Sequence, residues 1–344
     1  MATRPTLSDV AERAQVSTQT VSNVMNAPHL VRPETADRVR AAIEDLGYRP
    51  SRAARQLRTR RSMLLGLRLE PDNGGINGSV LDRFLHAVVE AAQRANYHIV
   101  LFTAPDDAAE IDSYSELLAT SELDGVLLTS THHGDPRTAW LAERNIAFST
   151  FGRPWGSVDA QHSWVDVDGA AGTRAAVEHL VALGHRRIGF VGWPPGSGVG
   201  DDRRAGWAAA LDDAGLSATP ELQTWTDDGV EAGRSATAEL LSRPDPPTAV
   251  VCSSDSFALG AHALDPTLAV TGFDDTPVAR AVGLTSVAQP LAAAASACLE
   301  QVLAVIAGHT EAPQHLLLPP ILTVRTSAPA PVSHRPPADQ GDRS

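Results

Sequence analysis

The stretch TLSDVAERAQVSTQTVSNVMN, residues 6–26, decides how the amino-terminal part of this chain folds. Residues 6–14 have the spacing of a short helix: Val10, Ala11 and Ala14 share one face, Asp9 and Glu12 come early, and Ser8 is placed to cap it. QVS at 15–17 interrupts the pattern. Ser17 then caps a second short helix to about Met25, with Val21, Val24 and Met25 at helical spacing. Residues 26–31 read as a loop. Pro33 stands at the favoured first position of a third helix, which carries the apolar stripe Val39, Ala42, Ile43 and Leu46 and ends at Gly47. Three short helices with a tight turn between the first two outline a helix-turn-helix module.

The charge of the chain divides at the edge of this module. The 344 residues carry a formal net charge of −13, and all 28 basic residues are arginine. Residues 1–61 hold 11 arginines against six acidic residues, whereas residues 62–344 hold 17 against 35. A basic head on an acidic body is either a head that meets an anion or a basic arm with no specific partner. Residues 49–61, RPSRAARQLRTRR, hold six of the arginines. Arg49, Arg52, Arg55 and Arg58 recur every third residue, with Ala53, Ala54 and Leu57 between them. So short a helix is marginal in water, so this segment either folds against a partner or stays a solvated linker.

From Ser62 the pattern changes. LLGLRL (64–69), YHIVLFT (97–103), DGVLLTS (124–130) and IAFSTF (146–151) read as buried strands, with helices near 81–95, 107–120 and 136–144. The second half repeats the rhythm in RRIGFVG (186–192), LQTWTD (222–227), TAVVCSS (248–254) and LAVTGFD (268–274), with helices near 169–183, 203–214, 229–242 and 256–263. Such alternation implies parallel sheets, here two doubly wound lobes with a cleft between them. A helix at 291–307 and a strand at 316–325 complete the body. The expected layout is therefore a head (1–50), a hinge helix or linker (51–61), a two-lobed α/β body (62–326) and a disordered Pro-rich tail (327–344). The tail lacks coiled-coil heptads. An apolar share of 43% excludes a mostly disordered or collagen-like chain. No apolar run reaches membrane-spanning length, the first residues lack a signal-peptide core, and Cys252 and Cys298 make no disulfide framework. The expected compartment is the cytoplasm, at the nucleoid, with no membrane partner.

The head stretch 6–26 and its continuation VRPETADRVRAAIEDLGYRPSRAARQLRT (31–59) resemble the DNA-binding head of LacI/GalR-family transcriptional regulators. The resemblance runs on through DGAAGTRAAVEHLVALGHRRIGFVG (168–192), DDRRAGW (201–207), VVCSSDSFALGA (250–261), VTGFDDTPVA (270–279) and LTSVAQP (284–290), covering nearly all but the tail. It implies a repressor that binds a pseudo-palindromic operator in double-stranded DNA as a homodimer, and a small-molecule effector held between the lobes. On this resemblance Thr18, Gln19 and Asn23 fall on base-reading positions of the second helix, and Asn23 stands where an arginine is common. Thr6, Ser8, Ser17, Thr20, Ser22, Asn26 and Thr35 are the expected phosphate contacts. In the hinge, Ser51, Ala54, Arg55, Leu57 and Arg58 would meet the minor groove, Leu57 as an apolar wedge between base pairs. Ser51 and Ala53 replace the usual Asn and Val, and Arg32 replaces a capping Ser, so a weak cap is expected there.

For the effector, the resemblance points to Arg203, Ser254 with Asp255, Asp274 and Gln289, with Phe84, Arg153, Trp193 and Asp228 as further candidates. Arg203 could instead be a surface arginine beside Arg204, and Asp255 could instead cap the helix that follows it. The usual Asn-Pro-Phe-Phe before Phe84 is replaced by GINGSVLDRF. Six tryptophans, several near strand ends, favour a sugar or oligosaccharide over a small phosphorylated metabolite. No metal and no cofactor are expected: no His or Cys joins Asp274–Asp275, and His132–His133 are adjacent. No enzymatic activity is expected either. GWPPGSGVG (192–200) lacks the context of a dinucleotide fingerprint, and a chain without lysine excludes phosphate-loop, Schiff-base and Ser–Lys chemistry. The alternative is a sugar-binding protein without a DNA role.

Overall fold

The computed structural model describes residues 5–48, 61–70, 78–120, 123–157, 159–309 and 312–331. They form two compact units that divide after Met63. The hinge positions Ser51, Ala54, Arg55, Leu57 and Arg58 lie outside the described residues.

The head contains α1 (Leu7–Ala14), α2 (Thr18–Asn26) and α3 (Pro33–Leu46). Val10, Ala11, Ala14, Val21, Val24, Ala36, Val39, Ala42 and Tyr48 bury their side chains together. The cap of α1 is Thr6, not Ser8. Thr6 Oγ1 accepts from the Asp9 N–H at 3.3 Å, and Asp9 Oδ2 accepts from the Thr6 N–H at 2.7 Å. This reciprocal box satisfies two orphan donors, which a Ser one position inside the helix cannot do. Ser17 caps α2 as expected, accepting from the Thr20 N–H at 3.1 Å. Arg32 gives α3 no side-chain cap. Gly47 closes α3 at φ 62°, a left-handed conformation that favours glycine.

The first lobe carries β1 (Leu64–Leu69), α4 (Gly78–Arg94), β2 (His98–Thr103), α5 (Asp107–Ala119), β3 (Gly125–Leu128), α6 (Pro136–Glu143), β4 (Phe148–Phe151) and β5 (Trp164–Val167). The second carries α7 (Gly169–Ala182), β6 (Ile188–Gly192), α8 (Gly198–Asp213), β7 (Gln223–Trp225), α9 (Val230–Leu241), β8 (Ala249–Cys252), α10 (Asp255–Leu264), β9 (Ala269–Phe273), α11 (Pro277–Ala281) and β10 (Thr285–Ala288). The chain then returns as α12 (Leu291–Ala307), which packs on the first lobe, and ends in β11 (His315–Leu318) and β12 (Ile321–Thr323). The sheets run β11-β5-β4-β3-β1-β2 and β12-β10-β9-β8-β6-β7, parallel throughout except for the β10–β12 pair. Each lobe thus repeats the doubly wound order 2-1-3-4-5 and takes its sixth strand from the carboxyl-terminal segment.

Three local departures from the sequence reading have physical causes. WVDV at 164–167 is a strand, too short for its alternation to register. The expected strand 316–325 is two strands in two sheets, broken at Pro319–Pro320, where neither residue has an N–H for a ladder. The body does not stop at residue 326. Ser327 and Ala328 are buried, the Ser327 hydroxyl donates to Val270 O at 2.7 Å, and the Pro329 carbonyl pairs with His185 at 2.9 Å.

Candidate functional site

Two surfaces are placed to recognise something. The first is the outer face of α2. Val21 and Val24 turn inward, so by helical periodicity Thr18, Gln19, Ser22 and Asn23 turn outward. Thr18 and Gln19 are exposed at the amino-terminal end, and Gln19 Nε2 donates to Asn23 Oδ1 at 3.0 Å. That bond holds both amides on the same face in the absence of a partner. Ser17 and Thr20 share a 2.9 Å hydroxyl contact, and Asn26 Nδ2 donates to Ser22 O at 2.6 Å. Thr6 and Ser8 are exposed at the start of α1 and Thr35 is half-buried in α3.

The second surface is a cavity of about 170 Å³ between the lobes. The carboxyl ends of β3, β4 and β5 contribute Ser130, Thr131, Phe151, Gly152, Asp166 and Val167, while α4 adds Val80 and Leu81. The second lobe adds Gly169, Val199, Asp202 and Arg203, and the β10–α12 crossover adds Gln289. This is the edge at which doubly wound sheets bind ligands. Gly152 has φ 119°, and a Cβ there would collide with Thr131 Oγ1, which donates to Arg153 O at 2.9 Å.

Arg203 is the central cation of the second lobe. It is buried, donates to Ser253 O at 2.6 Å, lies 3.7 Å from Asp274 Oδ1, and sits 3.6 Å from the Phe273 ring centroid. It is therefore not a surface arginine. Its Nε is buried with no hydrogen-bond partner among the described residues. Gln289 Nε2 donates to Asp274 Oδ1 at 2.7 Å. Burial raises the Asp274 carboxyl to about 7, against the opposing pull of Arg203, and burial likewise lowers the affinity of Arg203 for its proton. Asp274 and Asp275 adopt φ 113° and 48°, strained for residues with a Cβ. Asp275 is fully engaged by Arg280 and Arg325.

The remaining predicted residues are placed differently. Arg153 does not line the cavity; its Nε donates to Asp166 at 2.6 Å and its Nη2 reaches Asp202 across the lobes at 3.2 Å. Asp255 does not cap α10, because Ser254 does. Asp255 is buried, accepts from Ser286 Oγ at 2.6 Å and the Thr276 N–H at 2.7 Å, and is pushed up to about 6 chiefly by burial. Ser254 donates to Asp228 Oδ1 at 3.1 Å. Trp193 packs on Phe257 near Arg203. Phe84 is buried in a stack on Phe151, 4.3 Å between centroids, and is not part of the cavity wall. Asp166 and Asp202 were missed by sequence reasoning, although both lie at element ends beside the cleft.

One further convergence involves Asp107, His132 and Asp135, with donor atoms within 4.8 Å of one another. Arg137 already neutralises it: its Nη2 meets Asp135 at 2.7 Å and its Nε lies 3.4 Å from Asp107. Among the described residues no helix is long and apolar enough to cross a membrane.

Two family models match. Residues 6–51 fit the bacterial regulatory proteins of the lacI family, and residues 177–328 fit the periplasmic binding protein-like domain. The HTH-type transcriptional regulator CelR of Thermobifida fusca is 34% identical over 338 residues, covering 94% of this chain and 98% of that protein. The chain belongs to the LacI family of bacterial regulatory proteins. The HTH-type transcriptional repressor PurR of Escherichia coli is 30% identical over 334 residues, covering 94% of this chain and 96% of its own. Among solved LacI-family structures, the lac repressor dimer bound to operator and the anti-inducer ONPF superposes with a TM-score of 0.79 at 27% identity, covering 95% of this chain and all of that one. A CelR–cellobiose complex superposes at 0.70 with 32% identity, covering 94% of this chain and all of that one.

Proposed function

We propose that this LacI-family chain is a transcriptional repressor. Two copies bind a pseudo-palindromic DNA operator, and a sugar held in the inter-lobe cavity changes that binding. The observation that carries the reading is the presence, in one chain, of an exposed polar α2 face and a cleft cavity walled by Arg203, Asp202, Asp166 and Gln289. Thr18, Gln19 and Asn23 are assigned to base edges. Gln pairs bidentately with adenine, and Thr offers a hydroxyl and a methyl. Ser17, Thr20, Ser22, Asn26 and Thr35, with Thr6 and Ser8, are assigned to phosphates, which fix position rather than sequence. Two solved relatives supply the design: the lac repressor is a dimer bound to operator in one, and CelR holds cellobiose in the other.

In the cavity, the two carboxylates of Asp166 and Asp202, the single cation Arg203 and the Gln289 amide suit a neutral polyol, whose hydroxyls both donate and accept. Asp274, one hydrogen bond behind Gln289 and 3.7 Å from Arg203, fixes the orientation of both. The effector acts by binding two lobe arrangements with different affinity, which shifts the population presented to DNA. The reading places the protein at the nucleoid and gives it no catalytic step. It is tested by selecting genomic fragments on the purified protein, measuring their retardation in a gel, and adding sugars. Retardation of a two-fold-related site that a sugar alters is expected. Failure to retard any genomic fragment would overturn the assignment.

A further inference from the structure

The second helix of the head, α2, reads TQTVSNVMN and carries no charged side chain. The commonest specific contact to guanine is a bidentate Arg or Lys, and no residue of α2 can make it. Base discrimination by this helix therefore falls to amides and hydroxyls. Two of the amides are already joined: Gln19 Nε2 donates to Asn23 Oδ1 at 3.0 Å, one helical turn away. We propose that Asn23 is a positioning residue for Gln19, and that the joined pair makes adenine the base Gln19 reads in each operator half-site. The proposal rests on the DNA-binding reading given above.

The direction of that hydrogen bond selects the base. A side-chain amide offers one oxygen and two N–H groups. Adenine presents N7 as an acceptor and N6–H as a donor, so it takes the amide oxygen together with the hydrogen beside that oxygen. One amide hydrogen is left over, and Asn23 Oδ1 is the acceptor for it. Were the bond reversed, the Gln19 oxygen would be engaged and both of its N–H groups would be free. Those two donors would match the two acceptors of guanine, N7 and O6. Because Gln19 is the donor, its oxygen stays available, and guanine itself presents no hydrogen to it in the major groove.

Exposure divides the roles within the pair. Gln19 is exposed, whereas Asn23 is half-buried, so the outer amide meets the base and the inner one fixes it. A long exposed side chain loses rotamer freedom when a ligand immobilises it, and holding Gln19 on Asn23 beforehand reduces that loss. The bond spends only the oxygen of Asn23, which leaves its Nδ2 hydrogens for other DNA acceptors.

The test enriches duplexes from a randomised pool on the full-length protein, then titrates the best duplex and its single-base variants. One adenine per half-site should be retained. Replacing it with guanine or with 7-deazaadenine should each weaken binding about tenfold, and Gln19→Ala should abolish both penalties. Asn23→Asp keeps the acceptor and cannot donate. It should bind every duplex more weakly, since phosphates repel a carboxylate, yet keep the preference for adenine. Asn23→Ala removes the acceptor and should cut that preference to below about threefold, with the melting temperature of the free protein unchanged. Three results would each overturn the positioning role while leaving DNA binding intact: an undiminished adenine preference in Asn23→Ala, its loss in Asn23→Asp, or guanine in place of adenine in the enriched duplexes. Enrichment of no duplex at all would overturn both readings.

Discussion

Arg203 and Asp274 show how a single pair can serve a site while opposing stability. Both are buried, and for both the desolvation outweighs the attraction across 3.7 Å. An Asp whose folded pKa is raised from about 3.9 to about 7 binds its proton better in the folded state than in the unfolded one. Its contribution to stability is therefore full at low pH and is lost as pH rises through that window. Asp255, raised to about 6, shares the lower part of the range. Asp274→Asn is expected to flatten the fall in melting temperature between about pH 4 and pH 7, measured by calorimetry. An equally steep fall in the variant would remove Asp274 as its source. On the head, Gln19→Ala should cost about 1–3 kcal/mol of operator affinity and relax preference at one base pair. Operator variants in a gel-shift titration would show this, and uniform weakening across all variants would instead assign Gln19 to phosphate. Arg203 and Asp274 were legible in the sequence because each lies in a motif of the family. Arg153 was legible only as a cleft residue, because its pairing with Asp166 and Asp202 depends on which strand ends the fold brings together.

At the scale of elements, periodicity and caps located nearly every helix, because an amphipathic helix repeats its signal over several turns. What escaped was short or interrupted. β5 has four residues, and the β11–β12 segment crosses between sheets at two prolines. A Thr-x-x-Asp box outcompeted Ser8 because it closes two hydrogen bonds at once. The sequence of the arginine-rich segment 51–61, with one leucine among five arginines, argues for partner-dependent folding. Leu57→Ala is accordingly expected to weaken operator binding at least tenfold while shifting the melting temperature of the free protein by less than about 2 °C. For a chain of this length a 2 °C shift corresponds to about 1 kcal/mol. Equal losses in titration and melting would exclude a minor-groove wedge.

For the whole molecule, the charge division acquires a meaning that the total of −13 conceals: the basic excess sits on the head and the acidic excess on the body. The body is held together by three chain crossings and by contacts that bridge its lobes. Arg83 on α4 donates to the carbonyls of Asp274 and Asp275 at 3.2 and 3.3 Å, and Arg153 reaches Asp202. Asp202 is a weak member of this clasp, since burial raises its pKa despite Arg153. A clasp of this kind favours the arrangement in which the cavity walls face each other, and so sets how much of the effector's binding free energy goes into closure. Asp202→Asn keeps the side-chain shape and leaves Arg153 on Asp166, but removes the charge between the lobes. Sugar affinity should fall about tenfold, which corresponds to ~1.4 kcal/mol, with little change in melting temperature because Asp202 also surrenders its desolvation cost. Reciprocity requires the coupling measured on DNA to move with it: the factor by which saturating sugar alters operator affinity must equal the factor by which operator alters sugar affinity, in the variant as in the original. Calorimetry on the free and operator-bound protein measures both sides, and a variant with unchanged sugar affinity would show that closure is governed elsewhere.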